Sequence, residues 1–165
     1  MKKKQFTKKF HNFGDGNVSY IEWNDNEELP GFQFSHATGF NSLTYRKLLE
    51  PLSNEFHIRA IDARGHGFTE TEAIPKKMYD WVTYRDDLIH SVENFVEEKK
   101  EPIILGGHSM GGATIMQVAA ARPDLVSGLV LIEPVLIPKL NLNLIKLGRK
   151  FPTSKVFPFI KYALS

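Results

Sequence analysis

At 165 residues, with 42% hydrophobic and 24% charged residues and a formal net charge of +2, the chain has the length and composition of one globular domain with a core, not of a disordered segment. It contains no cysteine, which excludes a disulfide framework, a thiolate metal site and a cysteine nucleophile. Met1 to Gln5 carry charge with no apolar run behind them, and no stretch reaches the roughly 18 apolar residues of a membrane span, so a soluble cytoplasmic protein is expected.

Residues 18–23 alternate like a strand after a turn at Gly14 to Asn17, and the stretch around Phe6 to Phe13 is placed to pair with it as a hairpin. Residues 32–35 form a short strand leading into His36-Ala37-Thr38-Gly39. From Ser42 the apolar positions Leu43, Tyr45, Leu48, Leu49, Leu52 and Phe56 fall at helical spacing. Asn41 or Ser42 is available as the cap, and Pro51 predicts a bend or an early end. Residues 56–62 read as a strand, followed by a loop over Ala63 to Gly67.

A second helix is predicted from about Tyr79 to Glu98, with Val82, Leu88, Ile89, Val92, Phe95 and Val96 on one side. Residues 102–105 read as a buried strand, Met110 to Arg122 as a helix stopped by Pro123, and residues 126–132 as a strand ended by Pro134. From residue 32 strands and helices alternate. That order predicts an α/β domain with a mostly parallel sheet and right-handed crossover helices. Charge divides at Pro134: residues 134–165 hold six bases and no acid, whereas residues 1–133 hold 15 bases against 19 acids. A shift of this kind marks a boundary, here between 1–135 and 136–165.

Gly107-His108-Ser109-Met110-Gly111 fits G-x-S-x-G at the end of one predicted strand and the start of the next helix, where a nucleophile elbow must sit. So sharp a corner strains the serine backbone and leaves no room for side chains two residues to either side. It also sets the serine at a helix N-terminus, whose amides favour negative charge. A Walker A loop would need a lysine followed by serine or threonine after the second glycine, and none is present. No cofactor or metal is implied: the six histidines include no H-x-x-x-H pair. Nor do the basic residues carry a stacking platform or motif for nucleic acid.

The stretch FQFSHATGFNSLTYRKLLEPLSNEFHIRAIDARGHGFTE, residues 32–70, followed by PIILGGHSMGG, resembles the first half of the α/β-hydrolase fold family. The resemblance implies that Ser109 attacks a carbonyl and that two backbone amides hold the resulting oxyanion. One is that of Met110; the other comes from the loop after the strand at 32–35, by position Thr38, with Ala37 and Gly39 as alternatives. Ala37 stands where the family usually has glycine. Asp62-Ala63-Arg64-Gly65-His66-Gly67 is similar to the family's D-x-R-G-x-G segment. A serine at the elbow disfavours the haloalkane dehalogenases and epoxide hydrolases of the family, which use aspartate there.

The family's chain order is serine, acid, histidine. After Ser109 the carboxylates are Asp124 and Glu133, and there is no histidine. An earlier base would have to be His36, His66 or His108, and Glu133 would be either an acid or a strand-end hydrogen-bonding residue. The expected account is an incomplete hydrolase core over 1–135, with the start of a cap over 136–165 whose Leu140, Leu142, Leu144, Ile145, Leu147, Phe157, Phe159 and Ile160 line an acyl or aromatic pocket. A basic apolar stretch for membrane surfaces is the rival reading of that segment. Two functions remain in play: a serine hydrolase of small acyl substrates, inactive in this chain alone, and an inert binding module.

Overall fold

The computed structural model describes residues 5–12, 16–73 and 81–136. Residues 1–135 form one compact unit, described here. The expected cap segment, including the apolar positions from Leu140 to Ile160, lies outside the described residues from 137 onward. Among the described residues a six-stranded sheet runs β1 (Thr7–Asn12), β2 (Asn17–Trp23), β4 (His57–Ile61), β3 (Gly31–Ser35), β5 (Ile103–His108), β6 (Val126–Ile132) from edge to edge. The hairpin of β1 and β2 and the pair β2 with β4 are antiparallel; β4, β3, β5 and β6 are parallel. The sheet is therefore mostly parallel with an antiparallel flank. No helix of the described residues is long and apolar enough to cross a membrane.

Strand parity sends alternate residues to opposite faces. One face carries Ile61, Ile103 and Leu105 against Leu88, Val92 and Phe95 of α2 (Val82–Lys99) and Ile115 and Val118 of α3 (Met110–Ala121). The other carries Ile21, Trp23, Phe32, Phe34, Ile58 and Ala60 against Tyr45 and Leu49. Helices on both faces explain why β3 and β4 are buried throughout rather than alternating.

Three elements depart from sequence expectation. The helix expected from Ser42 is a 3-10 turn (Ser42–Tyr45), one α-turn, α1 (Arg46–Leu49), and a second 3-10 turn (Glu50–Asn54). Asn41 caps it by accepting the Thr44 amide at 3.1 Å, and Pro51 prevents a longer α-helix. The α2 helix begins at Val82, ending where Lys100 turns left-handed at φ 59°. The strand expected to stop at Leu105 continues to His108, because bare Gly106 and Gly107 still pair through their backbones with Phe34 and Ser35 of β3.

A charged cluster sits beneath α2. Glu22 Oε1 accepts from His57 Nε2 (2.9 Å) and Arg59 Nε (2.7 Å), Lys9 pairs with Oε2, and Arg59 reaches on to Glu98. Burial pushes the Glu22 carboxyl up, but the bonds from His57, Lys9 and Arg59 outweigh it and hold it at about 2, below its ordinary 4.5. A depressed carboxylate stabilises the fold above its unfolded pKa and ceases to do so as pH falls through the folded one. About 3 kcal/mol is thus expected to vanish between roughly pH 5 and pH 2. Urea titrations at stepped pH check this: Glu22→Gln is expected to flatten that dependence while costing about 3–5 kcal/mol at pH 7.

Candidate active site

The elbow forms where β5 ends and α3 begins. Ser109 has φ 53° and ψ −111°, a region that residues with a side chain rarely occupy. Its neighbours hold it there: the Ser109 amide donates to Ile132 O at 3.0 Å, and its carbonyl accepts from Ala113 N (3.0 Å) and Val135 N (3.2 Å). A Cβ on Gly107 would lie 2.6 Å from the Gly111 backbone, and one on Gly111 would lie 2.2 Å from Ser35 O. Both glycines are needed for space, as the motif spacing predicts. The side chain of Ser109 is half-buried, at the C-terminal edge of the parallel strands.

The loop after β3 is built around Ala37. His36 is buried; its Nδ1 donates to Ala37 O (2.8 Å) and its Nε2 accepts from Ala63 N (2.9 Å). Burial lowers the pKa of its imidazole, which favours the neutral form these bonds require. Ala37 O also accepts from Phe40 N at 3.1 Å. In a trans peptide the carbonyl and the next amide point in opposite directions, so two donors on Ala37 O set the direction of the Thr38 N–H.

The amide of Ala37 donates to Tyr45 Oη (3.1 Å), and that of Gly39 to His66 Nε2 (3.2 Å). Thr38 is exposed, and its amide has no partner among the described residues; nor has that of Met110 in the first turn of α3. Of the three loop amides that sequence leaves open, two are therefore engaged. Gly111 lies under Ser35 O and His36 O, so the start of α3 and the loop carrying Thr38 adjoin.

The loop after β4 is a brace. Asp62 accepts from Ser42 N (2.7 Å) and Phe68 N (3.0 Å), and Gly67, at φ +57°, leaves no room for a Cβ beside that carboxylate. Arg64 grips Asp87 of α2 through Nε and Nη2 at 2.8 Å each.

No imidazole among the described residues bonds Ser109 Oγ. His36 and His66 spend both ring nitrogens on backbone groups, and His108 Nδ1 meets Tyr45 Oη at 2.7 Å. Glu133 lies one residue past β6 at φ 41°, exposed, with no side-chain hydrogen bond among the described residues. Asp124 pairs with Arg122 at the far end of α3. A group of metal-ligand type does exist away from the elbow: donor atoms of Glu22, His57 and Glu98 lie within 4.8 Å of one another. Both carboxylates there already hold the cations of Arg59 and Lys9. The bond from Tyr45 to His108 escaped sequence reading, because Tyr45 is legible there only as an apolar helix position.

The parallel strands with their antiparallel flank, and a serine at the strand-to-helix corner, define an α/β-hydrolase fold. Its solved neighbours include the thioesterase domain from the curacin biosynthetic pathway, with TM-score 0.72 and 22% identity, over 88% of this chain and 51% of that one. The sequence profile described as serine aminopeptidase, S33, matches residues 32–163, and the chain belongs to that family. Similar proteins include (E)-2-((N-methylformamido)methylene)succinate hydrolase of Acinetobacter baylyi, 28% identical over 70% of this chain and 41% of that protein. Monoglyceride lipase of Mus musculus is 35% identical over 62% of this chain and 34% of its own length. The chain thus spans less than half the length of these curated relatives.

Proposed function

We propose that the complete protein is a serine hydrolase of a carboxylic ester or related small acyl compound, with Ser109 as nucleophile and the amides of Met110 and Thr38 as the oxyanion hole. The observation that carries this reading is the strained Ser109 backbone beside two unpartnered amides, with the competing amides of Ala37 and Gly39 already engaged. Ser109 Oγ adds to the substrate carbonyl carbon, and the carbonyl electron pair moves onto oxygen, where the two amides receive it. One such donor is worth about 3 kcal/mol of barrier. The relatives' names, a substituted-succinate hydrolase and a monoglyceride lipase, are compatible with hydrolytic attack on a carbonyl.

The base that takes the Ser109 proton lies outside the described residues in this reading, and Glu133 or a later carboxylate orients it. Residues 1–165 alone are therefore expected to turn over esters negligibly. The second reading, an inert binding module, is favoured by one observation: Ser109 Oγ has no imidazole partner among the described residues. A fluorophosphonate probe separates the two. In the complete gene product it labels Ser109, and Ser109→Ala abolishes the label; a folded complete protein that resists the probe refutes the hydrolase reading.

A further inference from the structure

We infer that Tyr45 is a positioning residue, whose phenol ties the loop carrying the Thr38 amide to the elbow through a hydrogen-bonded chain from Ala37 N to Tyr45 Oη to His108 Nδ1. The inference rests on the oxyanion-hole reading above and extends it to a residue outside both motifs. The Tyr45 oxygen accepts the Ala37 amide at 3.1 Å, and the same hydroxyl shares a hydrogen bond with His108 Nδ1 at 2.7 Å. Burial pushes the phenol's pKa up, which favours the neutral hydroxyl.

The chain joins two places that chemistry needs in register. Ala37 shares its peptide bond with the Thr38 amide, and His108 immediately precedes Ser109. The ring of Tyr45 is buried and packs on buried Phe34 with centroids 4.7 Å apart, with exposed Phe40 at 6.1 Å on its outer side, so the hydroxyl is aimed by its packing. His66 holds the far side of the loop through Gly39 but makes no bond to the elbow. Tyr45 thus links the two halves of the hole by side-chain hydrogen bonds, beside the ring contact of Phe40 with His108.

Tyr45→Phe in the complete protein keeps the ring and removes the link. It is expected to lower kcat by about 10- to 100-fold, the usual penalty for an active group about an ångström out of place, with KM within about twofold. A trifluoromethyl ketone, which the serine converts to a hemiketal oxyanion, is expected to bind more weakly by a similar factor, while the matching methyl carbinol, which forms no oxyanion, binds as before. A purely structural tyrosine would move both ligands together or neither. If Tyr45→Phe does not fold, His108→Leu and His108→Asn serve instead: the first removes the partner of the Tyr45 hydroxyl and lowers kcat, and the second restores a polar partner near Nδ1 and recovers kcat. Unchanged kcat, a loss confined to KM, or equal weakening of both ligands overturns the inference while Ser109→Ala still abolishes turnover. Should Ser109→Ala itself retain turnover, the underlying site assignment fails as well.

Discussion

Ser109→Ala in the complete protein is expected to cut kcat toward an acyl substrate by about 10⁴-fold or more, as loss of a nucleophile does where serine and base act as a unit. Stability should move by less than about 0.5 kcal/mol, because alanine keeps the Cβ and therefore the same backbone strain at φ 53°. Ser109→Gly separates the two properties. It is equally inactive, but glycine occupies that region freely, so it should unfold at higher urea, by about 1 kcal/mol. A stabilised, inactive glycine variant would show that strain is retained at this position for the sake of the hydroxyl. Measurable turnover by both variants would refute Ser109 as nucleophile.

Gly111→Ala is expected to be the most damaging single methyl in the described residues. The new carbon would lie 2.2 Å from Ser35 O and 2.7 Å from His36 O, and backbone cannot swing aside as a side chain can. The first turn of α3 must then move off β3, carrying the Met110 amide with it. The cost should be about 3 kcal/mol or more in urea unfolding, with activity lost in the folded fraction. Gly128→Ala supplies the contrast: its Cβ would meet Ile104 only at 3.8 Å, an ordinary contact, so stability should change by less than about 1 kcal/mol. A Gly111→Ala protein as stable and active as the parent would mean that the elbow does not need this close approach.

Most of the fold was legible because its signals are local. Apolar periodicity located β2 to β6, α2 and α3 to within a few residues, and Pro51 signalled the early end of the helix near residue 42. The strand expected to end at Leu105 runs on through Gly106 and Gly107, since a glycine's tendency to break a strand is overridden when strands on both sides pair with its backbone.

By itself the sequence determined that a serine stands at a strand-to-helix corner flanked by glycines, that a loop of three candidate amides follows an earlier strand, and that no histidine comes after Ser109. These follow from residue type and spacing, which act over a few bonds. Only the tertiary structure decided which of those amides is open. Tyr45 and His66 accept the amides of Ala37 and Gly39, 8 and 27 residues away along the chain, only through folding, and hydrogen bonds across such separations leave no period or motif along the chain.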